Sequence, residues 1–474
     1  MSVNVGCFAC LKPLFSRKRV QKKGAAGRVL DSQGDAGPDA SQNEHRKRDK
    51  RLEEVLEAPP AYQAKLYSAT LGSPTGYRPE VLETIKDAVD KIGSDLRSLS
   101  LAIHDNPEVG FHENYAHAIL TNYMASQGFE VTRSYAGLST AWKAEYVHGK
   151  GGRVLGINSE MDALPGIGHA CGHNLIAAGG VGVALAAKAA MEKHDINGSI
   201  VLLGTPAEEG GAGKVILLEK GAYDNMDICV ISHPTAGVPH TASASGSLAL
   251  QDIEVEFYGH TAHAAAAPWE GINALDAAFL AYSSISVLRQ QIKPTHRVHG
   301  IVEGKDWSPN VIPDYAKMRW YVRAPTYAEV AELRDRLKAC FEAAALATSC
   351  KAEIKVGRPH YELKQNVALV QDFASAIAQV DLEWADAEAK ASTDFGNVTY
   401  ALPSLHPRYA IPTDPGGGNH TPAFTKSAGT LEAHNAMLEV VKALTLTSVR
   451  AIDDDEFFTA VRKAFDAQHT EYVD

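Results

Sequence analysis

Three short apolar runs constrain the fold of this chain more than any other feature. They are RVLGIN (153–158), GSIVLLGTP (198–206) and DICVISHP (227–234), each of strand length and separated by helix-length stretches. A strand that is apolar on both faces must be covered on both, and strands alternating with helices pair in parallel. The runs predict an α/β fold, a mixed, mostly parallel sheet covered by helices. Apolar residues at three- and four-residue intervals add a helix from near Glu80 that stops before Pro107. Further helices are expected over 114–127 and, rich in small residues, over 175–193.

Near Gly246 the rhythm changes. Residues 247–357 read strand, helix, strand, strand, helix, strand, the order of a ferredoxin-like α+β unit, inserted before the α/β pattern resumes near Asn366. The final helix is expected over 429–449. Four segments follow: a disordered basic tail and linker (1–77), the first portion of a catalytic domain (78–245), an inserted lid or dimerisation domain (246–360) and the second portion of the catalytic domain (361–474).

Composition narrows the class. The chain has 474 residues, enough for two domains, and its 45% hydrophobic and 22% charged content is that of a soluble globular protein. No apolar run reaches the roughly 18 residues of a membrane span. Residues 1–51 carry 12 Lys and Arg against 5 Asp and Glu, a net of +7, which leaves −18 of the total −11 on residues 52–474. So acidic a body argues against nucleic acid as a partner. Cysteines at 7, 10, 171, 229, 340 and 350 form no disulfide framework, and the expected compartment is cytoplasmic. Acylation of Cys7 and Cys10 beside the basic run would give the one route to a membrane; the alternative is a solvated tail.

Ligands of open α/β sheets collect beyond the carboxyl ends of the strands. After the first run come Glu160, Asp162 and then GIGHACGHN, with Cys171 and His173; after the second come Glu208 and Glu209; after the third, His233. A late glycine-rich turn presents His420. Each has a plain structural alternative, a capped turn or a solvated acidic face, but three successive strand ends carry such residues. Cys171, His173, Glu209, His233 and His420 make too few donors for two closed tetrahedral sites unless one is shared with solvent completing the rest, the open arrangement catalysis uses. Cys171 is the natural bridge, Glu208 the general base, and Asp162 the partner that orients a ligand imidazole.

The motifs HDNPEVGFHE, SEMDALPGIGHACGHN, GTPAEEGGAGK, GHTAHAAAAPWEGINA, SPNVIPD and NHTPAFTKSAG follow one another over about residues 80–455. In this order they resemble the aminoacylase-1-like metallopeptidase and amidohydrolase family, and within it the Xaa-Arg (β-alanyl-lysine) dipeptidase-like branch. The resemblance implies two divalent ions on Cys171, His173, Glu209, His233 and His420, zinc first with manganese or cobalt as alternatives. It implies that Glu208 is the base, that His263 reaches a second copy's site to steady the oxyanion, and that Asn310 and Arg323 contact the substrate. A homodimer through the lid follows from that role of His263. The chain departs from relatives at Asn174, where Asp is common, at Cys171, where distant members bridge with Asp, and at Glu160, where those members have a ligand His. Asp394 and Asn397 are read as shaping the pocket floor, and His406 as a substrate contact or a structural residue. The expected function is metal-dependent hydrolysis of a small dipeptide or N-acyl amino acid. The alternatives are a non-peptide amide conjugate as substrate, or a catalytically silent binding homologue.

Overall fold

The computed structural model describes residues 77–386 and 391–470. The expectations for the basic tail, including Cys7 and Cys10, lie outside these residues.

The amino-terminal region opens with α1 (Pro79–His104) and α2 (Asn114–Ser126), then strands β1 (Glu130–Arg133), β2 (Trp142–His148) and β3 (Arg153–Glu160). Helix α3 (His173–His194), strand β4 (Gly198–Thr205), helix α4 (Gly213–Glu219) and strands β5 (Ile228–Val230), β6 (His233–Ala236) and β7 (Thr241–Ser243) follow. The inserted region runs β8 (Ala249–Tyr258), α5 (Ala274–Leu288), β9 (Arg297–Gly304), β10 (Tyr315–Ala324), α6 (Tyr327–Thr348) and β11 (Lys351–Val356). The chain closes with α7 (Val367–Ile377), β12 (Glu383–Trp384), α8 (Phe395–Ala401), β13 (Ser404–Leu405) and β14 (Arg408–Ile411). Three helices end it: α9 (Pro422–Ala428), α10 (Leu431–Asp453) and α11 (Asp455–Thr470).

The main sheet has the order β1-β2-β4-β3-β5-β13. Its β4, β3, β5 and β13 pair in parallel and only β1 and β2 are antiparallel, the mixed, mostly parallel sheet expected. The register of β3 on β4 runs from Arg153 opposite Gly198 to Glu160 opposite Thr205, so both strands end at one edge. Helix α3 packs against β3, α1 and α10 inside the main apolar core. By length and composition α3 could cross a membrane, contrary to the expectation that no segment could, but it is mostly buried within the protein. Its glycines and alanines allow that close approach.

The inserted region forms a separate sheet, β11-β8-β10-β9, antiparallel throughout and backed by α5 and α6. It has its own apolar core, including Phe257, Trp320 and Phe341. Two details differ from the sequence reading. The third apolar run is broken at Ile231 and Ser232: β5 stays in the main sheet while β6 leaves it for a small sheet of order β12-β7-β14-β6. The last predicted helix is longer, and α11 follows it unforeseen.

Candidate metal centre and active-site cavity

Strained loops bring the chemical groups to the sheet edge. Between Cys171 and His173 the chain turns through Gly172 at φ +79°, where a Cβ would lie 2.6 Å from Pro234 Cγ. Only glycine fits there, and the turn lets His173 begin α3 with Cys171 just ahead of it. Beyond β4, Ala207 and Ala212 take positive φ of 56° and 54°, bracketing Glu208 and Glu209. The buried Glu113 holds this loop, its carboxylate accepting from Ala207 N at 2.8 Å and from Thr140 Oγ1 at 2.7 Å. His420 also has a positive φ, 66°, and its amide donates to Ala170 O at 2.8 Å, clipping the late loop to the Cys171 turn.

These loops converge. His173 Nδ1 lies 3.2 Å from Asp162 Oδ1, which leaves Nε2 facing the cluster, 3.4 Å from Glu160 and 3.9 Å from both Glu208 and Glu209. Asp162 also accepts from Glu209 N at 2.9 Å, so one carboxylate orients the imidazole and fixes the acidic loop. His233 Nδ1 donates to Pro234 O at 2.7 Å, turning Nε2 toward Cys171 Sγ at 3.3 Å. His420 Nε2 lies 3.3 Å from Glu209 Oε1. The donors form two triads, Cys171–His173–His233 and Cys171–Glu209–His420, with the donor atoms of each within 4.8 Å of one another. Cys171 belongs to both.

Burial sets the electrostatics. It pushes the Cys171 thiol upward, so a thiolate there needs a cation. It holds His233 down to about 4, neutral and free to offer a lone pair. Burial, with Glu160 and Glu209 close by, carries Glu208 well above the usual carboxylate range. His173 moves up instead: burial opposes its charge, but Asp162 and Glu160 outweigh it. Behind the cluster, buried Lys214 bridges Glu160 at 2.7 Å and Asp394 at 2.5 Å, and Asp394 also accepts the Lys214 amide at 2.8 Å.

A cavity of about 740 Å³ opens on the cluster, its wall carrying Cys171, Glu208, Glu209, His233, His420 and Arg323. Arg323 donates to Ser392 Oγ at 2.9 Å. Asn310 and His263 do not line it. They sit together on an exposed tip, Ala264 N donating to Asn310 O at 3.0 Å. Asp394 and Asn397 do not form its floor either. Asp394 is tied to Lys214, and Asn397 accepts from Tyr361 N at 3.0 Å and donates to Pro359 O at 3.1 Å. Sequence reasoning missed Glu113, Lys214 and the cavity-lining Arg408. Glu113 ends HDNPEVGFHE and Lys214 ends GTPAEEGGAGK, but an isolated Glu or Lys announces no partner until its neighbours are known.

The donor set fits divalent ions. Among the described residues, the buried His173 Nε2 and Glu209 Oε1 have no hydrogen-bonding partner, a costly condition for groups meant to stay bare. One thiolate, three imidazoles and a carboxylate on an α/β scaffold, opening onto a cavity, define the class of a hydrolase built around divalent cations. The model of peptidase family M20/M25/M40 matches residues 156–444, and this chain belongs to that family. It is a hydrolase of peptide or amide bonds. It is 39% identical to an Xaa-Arg dipeptidase of Mus musculus over 81% of this chain and 90% of that one. It is 31% identical to one of the chains of the p-aminobenzoyl-glutamate hydrolase of Escherichia coli over 58% of this chain and 60% of that one. Among solved structures, a dinuclear metal binding peptidase of the M20 family from Bacillus subtilis superposes with a TM-score of 0.59 at 20% identity. That match covers 77% of this chain and 99% of the other.

Proposed function

We propose that the chain hydrolyses dipeptides or N-acyl amino acids with the help of two divalent ions, zinc first, which Cys171, His173, Glu209, His233 and His420 would hold. The observation that carries this reading is the shared sulfur, Cys171 Sγ, common to two donor triads with Glu208 close beside them. Bound ions would polarise the scissile carbonyl and acidify the attacking water. Glu208, beside the donor atoms, would take the proton from that water and deliver it to the leaving amine. Asp162 keeps the His173 proton on Nδ1 so that Nε2 stays a donor. Arg323, on the cavity wall, anchors the substrate carboxylate.

The relatives' names, Xaa-Arg dipeptidase and N-acetyl-L-cysteine deacetylase among them, support this substrate range. His263 and Asn310, exposed at their tip, serve the site of a second copy, His263 steadying the oxyanion. The exposed Phe279, Leu280 and Val287 of α5 supply an apolar face for that copy. The test is hydrolysis of a dipeptide and N-acyl amino acid panel after chelation and after return of zinc, manganese or cobalt. Activity returns with metal, and Glu208→Gln lowers kcat by about 10²- to 10⁴-fold while metal content is unchanged. Two bound ions without cleavage of any panel member would overturn it.

A further inference from the structure

The cavity wall beside the triads contains a cation that the proposed chemistry does not use. Arg408 lies on β14 directly opposite His233 in the register of β6. It is half-buried and lines the cavity, yet among the described residues its guanidinium has no hydrogen bond, ion pair or aromatic partner. Two residues earlier on the same side, His406 lines the cavity too. Its ring is 2% exposed and stacks on His233 at 5.8 Å between centroids, and neither ring nitrogen has a hydrogen-bonding partner among the described residues. Partly desolvating a guanidinium and orphaning a buried imidazole both cost stability, and natural interiors rarely tolerate the two side by side. Both costs are removed by an anionic ligand that takes a forked pair of bonds from Arg408 and one bond from His406.

We propose that His406 and Arg408 form a second carboxylate subsite, so that the preferred substrates are dipeptides or N-acyl amino acids bearing two carboxylates. This rests on the hydrolase reading, in which Arg323 takes one carboxylate and leaves Arg408 for the other. The other basic wall residue, Arg358, is already paired with Glu219 at 3.4 Å. Asp252 shares the wall but is exposed, so water satisfies it without a ligand. A basic substrate side chain would meet Arg408 as a like charge.

The test compares substrates that differ only in charge. With metal-loaded protein, kcat/KM for Ala-Glu is expected to exceed that for Ala-Gln and for Ala-Arg by about 10- to 100-fold, the range of a charge-assisted pair. Arg408→Met brings the Glu-to-Gln ratio down to near 1, and Arg408→Lys keeps some of it. If Arg408→Met does not fold, Arg408→Gln replaces it. A parallel calorimetric titration uses glutarate against its monoamide, which reads the subsite without turnover. Equal cleavage of Ala-Glu and Ala-Gln, preference for Ala-Arg, or a ratio that survives in Arg408→Met would each overturn the subsite and leave the hydrolase reading standing. Selective glutarate binding that vanishes in Arg408→Met, with no peptide cleaved, would uphold the subsite and overturn the hydrolase reading.

Discussion

Lys214 is fully buried between Glu160 and Asp394, and no apolar side chain could take its place without stranding two carboxylates. Removing one partner of a buried ion cluster costs about 3–5 kcal/mol, because the charges left behind have lost both water and partner. Lys214→Met is therefore expected to lower the unfolding free energy by that amount in urea denaturation. The double variant Lys214→Met with Glu160→Gln should recover some of it; equal loss in both would mean that the cluster's charge is irrelevant. At this scale the sequence was most legible where chemistry clusters within a few positions. Cys171 and His173, or Glu208 and Glu209, announce themselves by proximity. The ion pair of Lys214 with Asp394 spans 180 positions and each member looks ordinary alone. His406 was left between contact and structure, and only its bare, buried nitrogens decide what it needs.

Elements bring their own constraint through the seam where α1 meets the start of α10. Arg97 on α1 donates to Gly429 O at 2.7 Å and Thr430 O at 2.8 Å, and Thr430 caps α10 by accepting from Ala433 N at 3.2 Å. His434, one turn into α10, is buried there, and burial together with the Arg97 charge holds it down to about 4. Between its ordinary value near 6.5 and about 4, the unfolded chain binds a proton that the folded chain refuses. Stability is therefore complete above about pH 6.5 and falls as pH drops toward 4. The midpoint of thermal unfolding should decline over that range, and His434→Gln should flatten the decline; an unchanged slope would place the acid sensitivity elsewhere. Strands apolar on both faces were readable because each run is long enough to state its environment. The sheet β12-β7-β14-β6 was not, since strands of two to four residues are too short to show any period. The break at Ile231 and Ser232 falls where the apolar run gives way to Ser232 and Pro234, signals too slight to show that the strand changes sheet.

For the whole molecule, the second sheet carries an exposed apolar face on α5 and an outer strand, β9, with one edge unpaired among the described residues. If a second copy docks on this face as proposed, Phe279→Asp combined with Leu280→Asp leaves only monomer in sedimentation measurements and reduces turnover with it. If the variant is monomeric and fully active, His263 has no work to do across the interface. The ferredoxin-like order was legible from the change of rhythm at Gly246, whereas the cavity between distant loops was not, because no local pattern records which loops meet. The sulfur of Cys171 is common to both donor triads. A centre built this way has no redundancy. An oxidant that converts that single atom to a sulfinic acid dismantles both pockets at once. Peroxide, oxidising this sulfur in two successive steps, should then abolish activity completely, and ions held as proposed would be lost together.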